Sequence, residues 1–283
     1  MATLTNIHGL PPSIVAAVTN DPYTGGGDIS ATKLIDAPQI VELSRAYRDQ
    51  ITVDVSERIW SLLGQSVHTV LERAALRQEG MIAEQRLFAD MLGWSISGQF
   101  DVMDLESKKI SDYKVTTTYK AKGNDRWTQQ LNILRWLAHK NGYTVDRLEV
   151  IAIFRDWRKT EADRSDDYPK AAIQAIHIPV WPLEETEVYI AERVAMHQKA
   201  RAGGFVPCTD EDRWYSGNSY AVIKPDGKRA LRVYSEPPQP SDVPSGYVVK
   251  TRTGEYRRCM HYCDVSAFCE QWEYTSEAPD EST

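Results

Sequence analysis

Apolar positions along this chain change their period several times, and each change marks an element. From about Asp54 to Gln78 the residues Val55, Ile59, Leu62, Leu63, Val67, Val70 and Leu71 recur at three- and four-residue spacing, which predicts a long helix with one apolar face. Strand-like segments are expected over 82–90, 93–105 and 109–116, with the polar turn Glu106-Ser107-Lys108 between the last two. A helix is expected over 125–139, ended by Asn141-Gly142. Strands follow over 150–154 and 172–180, then an amphipathic helix over 183–202 ended by Gly203-Gly204. Helix, three strands, helix, two strands and helix is the order of an α/β fold with a central mixed sheet flanked by helices.

Breakers set the boundaries. Residues 1–30 hold Leu10-Pro11-Pro12 and Gly25-Gly26-Gly27 and are expected to be an irregular lead-in. The core is expected over 31–205, opened by Ser30-Ala31-Thr32 before a helical stretch, with a cysteine-bearing segment over 206–276 and a disordered tail over 277–283. The chain is 42% hydrophobic and 26% charged, ordinary for a globular protein. It shows neither an apolar run of membrane-spanning length nor a basic-then-apolar leader, so a cytoplasmic protein with no membrane association is expected. The net charge of −7 argues mildly against a wholly basic coat for nucleic acid, but a local basic groove can coexist with an acidic surface.

The candidate chemistry lies in Gly98-Gln99-Phe100-Asp101 and Ile110-Ser111-Asp112-Tyr113-Lys114. Side chains alternate faces along a strand, so Asp112 and Lys114 project to one side, and a hairpin from Gly98 to Lys114 would bring Asp101 beside Asp112. Two carboxylates on one patch are costly unless a cation lies between them, and Mg²⁺ or Mn²⁺ prefers such hard oxygen ligands. An isolated D-x-K is usually a solvated hairpin. Here it lies on an apolar-flanked strand shortly before a helix that opens with Arg126-Trp127. On the first long helix His68 and Glu72 stand one turn apart on one face, His68 as a candidate imidazole ligand and Glu72 as a supporting acid. On the later helix Gln130 offers an amide beside an apolar face.

Taken together, Gly64–Glu72, Gly98–Asp101, Asp112–Lys114 and Gln130 resemble, in order and spacing, the RecB-like branch of the PD-(D/E)XK nucleases, a group that includes RecB and AddB nuclease domains, CRISPR-adaptation nucleases and many phage exonucleases. The similarity spans roughly residues 30–200 and implies a restriction-endonuclease-like core. Carried over, it makes His68, Asp101, Asp112 and the backbone carbonyl of Tyr113 metal ligands and Lys114 the catalytic lysine. It makes Gln130 the glutamine of a Q-x-x-x-Y motif, whose tyrosine is replaced here by Leu134. The resemblance implies a Mg²⁺- or Mn²⁺-dependent deoxyribonuclease, most simply an exonuclease on DNA ends in recombination or repair, of a kind that phages encode. A structure-specific endonuclease and a non-catalytic DNA-binding subunit that keeps the fold stay open, as does a recombination partner or a homo-oligomer.

Cys259, Cys263 and Cys269 cluster near the C-terminus, with Cys208 before them, which in a cytosolic chain reads as a metal or iron–sulfur site. Iron–sulfur relatives of the RecB-like branch are similar in holding a [4Fe-4S] cluster on three such cysteines and a distant one. Here, however, the first gap is three residues rather than two, and the distant cysteine follows the core. A Cys₄ zinc site stays open. His261, inside the set, is read as a bystander. Between the cysteines, Trp214, Tyr215, Tyr220, Lys224, Lys228, Arg229 and Arg232 interleave aromatic and basic side chains, as a strand-binding surface would. The plainer reading is a hairpin around Lys224-Pro225-Asp226-Gly227. Arg155-Asp156-Trp157 leaves a similar choice between a DNA contact and a capped strand end.

Overall fold

The computed structural model describes residues 3–19 and 25–276, so the tail expected at 277–283 lies outside the described residues. Two compact units emerge: one takes the chain up to Asp36 together with Thr52–Gly204, the other Ala37–Ile51 together with the chain from Phe205 onward. Among the described residues no helix is long and apolar enough to cross a membrane.

The larger unit is α/β. Its five-stranded sheet runs in the order Ile173–Ile178, Arg147–Phe154, Lys109–Thr116, Val102–Asp104, Met81–Ala83. Lys109–Thr116 and Arg147–Phe154 pair in parallel and the other neighbours antiparallel, so the sheet is mixed. The parallel pair needs a crossover, which the helix Asp125–Lys140 supplies, begun by the Asn124 side chain accepting from the Trp127 amide. That helix buries Leu131, Ile133, Leu134, Trp136 and Leu137 almost completely. It approaches the sheets closely at Gly98, where a Cβ would stand 2.6 Å from side-chain carbons of Leu134 and Leu137.

The first two predicted strands are each divided in two. Met81–Ala83 and Val102–Asp104 belong to the five-stranded sheet, whereas Arg86–Met91 and Trp94–Gln99 form a second sheet with Ile29–Ser30. Both legs of the hairpin therefore change sheets at one level, at Glu84-Gln85 and at Phe100-Asp101. Two features force the change. Glu84 takes a positive φ of 50°, which breaks the extended run, and its amide donates to the Asp101 carbonyl at 2.9 Å. At the tip, Leu92 and Gly93 both have positive φ, the backbone of a two-residue hairpin turn.

The long helix begins later than its apolar period suggests. Val55–Arg58 is a 3₁₀ turn and the α-helix spans Ile59–Ala75. The Asp54 carboxylate fixes this start by accepting from the amides of Ser56 and Ile7. Much of the apolar face stays at the surface, with Trp60 59% and Val70 64% exposed. The lead-in is not irregular throughout: Thr3–Thr5 pairs in parallel with Thr52–Asp54, and Pro12–Thr19 is a helix. Proline is well suited to a first helical turn, where its missing N–H costs nothing, and this turns an expected breaker into a start signal.

In the smaller unit Ser219–Ile223 is the centre of a three-stranded antiparallel sheet between Arg232–Tyr234 and Val248–Arg252. The expected hairpin is present, its turn closed by the Gly227 amide on the Lys224 carbonyl at 2.8 Å. The helix Pro38–Ala46 belongs to this unit, and Tyr47 stacks on Phe268 with ring centroids 4.3 Å apart. No periodicity announced that grouping.

Gly98→Val should lower stability by about 2 kcal/mol, the usual cost of overpacking a filled core. Thermal unfolding beside a conservative change at an exposed position would measure it, and an unshifted midpoint would mean that the helix can retreat from the sheet.

Candidate functional site

The two sheet changes and the Lys109–Thr116 strand converge on one cavity, whose wall includes His68, Glu84, Asp101, Asp112, Lys114 and Gln130. Pairing of Val102 with Ser111 carries the register on to Asp101 opposite Asp112, as the hairpin argument expects. Asp101 is held in place by accepting the Tyr113 amide at 2.5 Å. Asp112 is almost wholly buried, and its Oδ2 lies 2.7 Å from the Lys114 ammonium. The short distance marks a charge-assisted contact that gives this buried oxygen its partner. Burial pushes the Asp112 carboxyl up to about 6, with the Lys114 charge opposing and the Asp101 charge adding. Burial is the largest single influence on the Lys114 ammonium and works against it, but the Asp112 charge and hydrogen bond together with the Asp101 charge outweigh it, and the net direction is upward.

His68 reaches in from the long helix. Its Nε2 is 2.9 Å from the Tyr113 carbonyl, and its Nδ1 is 3.3 Å from Asp101 and 3.6 Å from Glu84. The Asp101 carboxylate, then that of Glu84, pushes the imidazole up to about 10 against the opposing effect of burial. A proton on this ring does electrostatically what a divalent cation would do, offsetting carboxylates that otherwise repel one another.

His68, Glu84 and Asp101 form the one set of three or more His, Cys, Asp or Glu side chains among the described residues whose ligand atoms lie within 4.8 Å of one another. The donors are mostly hard oxygens, suited to Mg²⁺ or Mn²⁺. The spacing also fits: octahedral bonds of about 2.1 Å put neighbouring ligands about 3.0 Å apart, against 3.3 Å between His68 Nδ1 and the Asp101 carboxylate.

Glu84 is the residue that pattern reading missed. Glu72, expected as a supporting acid, lies on the same cavity wall as His68 and outside the His68–Glu84–Asp101 set. The second acid comes from the sheet change. A trace was present in the sequence, since Glu84-Gln85 interrupts an otherwise strand-like run, but a polar doublet alone says nothing about where the chain turns. Gln130 faces the site, yet its amide is 3.5 Å from Asp112 Oδ1, too long for a firm hydrogen bond. Leu134 is buried against Gly98 and serves the helix–sheet packing, which accounts for an apolar side chain there.

Within the smaller unit all four cysteines are unpaired thiols lining one cavity, with Arg213, Arg258 and Trp272 also on its wall. A reciprocal pair of bonds holds Cys208: its amide donates to Gln271 Oε1 at 2.8 Å, and Gln271 Nε2 donates back to the Cys208 carbonyl at 3.0 Å. Burial pushes the Cys208 thiol up to about 12, with Asp212 and the other three thiols adding to the shift. Burial raises Cys263 as well. His261 is exposed and does not line this cavity.

No family profile and no curated protein matches the chain. Among solved structures it is similar to a crystal structure of SSO0001 at 18% identity and a TM-score of 0.47, covering 68% of this chain and 89% of that one. It is also similar to a phage-related exonuclease from Haemophilus somnus 129PT at 17% identity and a TM-score of 0.32, covering 48% of this chain and 69% of that one. Likenesses at these scores carry no weight for activity or substrate, which have to be read from the site itself.

Glu84→Gly separates backbone from chemistry at this site. It removes a non-glycine residue from left-handed backbone, a strain of about 1 kcal/mol, so the thermal midpoint should not fall. Mn²⁺ affinity measured by calorimetry should drop about tenfold or more. Undiminished affinity would take Glu84 out of the ligand set.

Proposed function

We propose that this chain is a divalent-metal-dependent DNA nuclease of the PD-(D/E)XK kind. The observation that carries the reading is the meeting of His68, Glu84 and Asp101 with the buried Asp112–Lys114 pair in one cavity. His68, Glu84, Asp101, Asp112 and the Tyr113 carbonyl would hold the ion. Mg²⁺ or Mn²⁺, when bound, supplies the positive charge that draws a phosphodiester towards these acids and makes it electrophilic.

The remaining steps belong to the chain's own groups. Asp101 accepts the Tyr113 amide and so anchors the backbone of the residue whose carbonyl faces His68. Asp112 holds the Lys114 ammonium at the cavity wall, where it orients water and offsets the negative charge that develops on the phosphate. Gln130 positions a phosphate oxygen or Lys114. We further infer an exonuclease working on DNA ends in recombination or repair, a refinement that rests on the RecB-like order of the motifs. The binding-subunit alternative rests on Leu134 in place of the motif's tyrosine, and Asp101, Asp112 and Lys114 on the same cavity wall weigh against it.

For the cysteines we infer a [4Fe-4S] cluster in preference to zinc. Tetrahedral zinc with bonds of about 2.3 Å draws its sulfurs to about 3.8 Å from one another, whereas no three of these thiols are mutually within 4.8 Å. A cluster places its irons between the sulfurs and needs the wider cage. Its role is structural, tying the Cys208 segment to the end of the smaller unit.

Linear DNA should be degraded with Mn²⁺ or Mg²⁺ and spared in EDTA, with Asp112→Ala and Lys114→Ala each slowing the reaction by roughly a hundredfold or more. Hydrolysis that survives both changes would sink the assignment. Ends blocked by hairpin caps should protect the substrate, and cutting of capped DNA would replace the exonuclease by an endonuclease. Anaerobically purified protein should be brown and carry about four irons per chain, both lost in Cys208→Ser. One zinc and no iron would reverse the choice of metal.

A further inference from the structure

A second group of side chains lies beside the site without belonging to it. The guanidinium of Arg155 lies 3.8 Å over the Trp60 ring, and Trp60 remains 59% exposed. Arg155 is exposed too, and its N–H donors have no carboxylate or carbonyl partner among the described residues. An arginine stacked on an indole and otherwise unpaired keeps its whole fork of donors available, the fork that matches a phosphate.

The surroundings place this pair close to the chemistry. The Arg155 amide donates to the Thr116 carbonyl at 2.9 Å, two residues beyond Lys114 on the neighbouring parallel strand and so about 7 Å further along it. Trp60 precedes His68 by two turns of the same helix, a rise of about 12 Å. Next to them the chain leaving the Lys109–Thr116 strand is pinned by Asp156, whose carboxylate accepts from the Thr118 amide at 2.8 Å and the Thr118 hydroxyl at 3.3 Å. The pinned turn presents Tyr119, 88% exposed, with the Lys120 ammonium 5.7 Å from its ring. Asp156 is the acid nearest in sequence, and its charge is committed to holding that turn. Two exposed rings, each with a cation beside it, thus stand at the end of the strand that carries Asp112 and Lys114.

We propose that Trp60 with Arg155, and Tyr119 with Lys120, form a platform for an unpaired DNA strand entering the site, the rings stacking on bases and the cations meeting phosphates. This rests on the nuclease reading. Bases in a duplex already stack on one another, so the platform should favour single strands over duplex.

Fluorescence anisotropy with a labelled oligodeoxythymidine and a duplex of equal length tests it, using the full chain carrying Asp112→Asn so that cleavage does not intrude. On that background Trp60→Ala and Arg155→Ala should each weaken single-strand binding about tenfold and duplex binding far less, with unchanged thermal midpoints. Arg155→Ala should also make the logarithm of affinity about 0.7 less steep in the logarithm of salt, whereas Trp60→Ala should not. Trp60→Phe should recover most of the loss, because a ring and not the indole N–H does the stacking. Unchanged single-strand affinity in both alanine variants, with metal-dependent cleavage intact in the chain that keeps Asp112, overturns the platform alone. Absence of any DNA binding by the parent chain overturns both the platform and the nuclease reading.

Discussion

Repulsion among Glu84, Asp101 and Asp112 is the constraint around which the larger unit is organised. Three carboxylates in one cavity are tolerable only with compensating positive charge, and the fold brings it from two directions. The long helix delivers the His68 imidazole between Glu84 and Asp101, and the strand that carries Asp112 delivers Lys114 two residues later. Each cation is itself partly buried, so its carboxylates hold it as firmly as it holds them. Groups so placed perturb one another's proton affinities, the pattern that marks a candidate functional site.

Much of this was legible in the sequence because strand alternation is a strict rule. Asp112 and Lys114 had to share a face, and the short turn at Glu106-Ser107-Lys108 had to return Asp101 to Asp112. His68 was legible from its place one turn before Glu72 on the long helix and from the resemblance of Gly64–Glu72 to the family's helix motif. Glu84 was not, because alternation describes a strand that continues and has no term for one that leaves its sheet. The positive φ at Glu84 is a tertiary solution, stabilised by the bond to the Asp101 carbonyl, and no propensity scale favours glutamate there. Leu134 stands where the resembled motif has tyrosine, and the sequence could not show that its side chain fills the space above Gly98.

In the smaller unit the sequence showed four cysteines and their order, but not the reciprocal bonds between Cys208 and Gln271 that hold one of them at the shared cavity. The inclusion of Pro38–Ala46 in that unit was invisible for a simpler reason. Contact between segments more than 150 residues apart leaves no local periodicity to read.

The change of sheets at Glu84 and Asp101 makes the hairpin a lever with a fixed fulcrum. Its tip, Leu92-Gly93, lies in one sheet and its base in the other, while the two acids sit at the pivot joined by a backbone bond. Length can vary at the tip in steps of two residues with both carboxylates still in phase. A single residue inserted between Ala83 and Glu84 would swing one acid to the opposite face, and no repacking of the tip could return it.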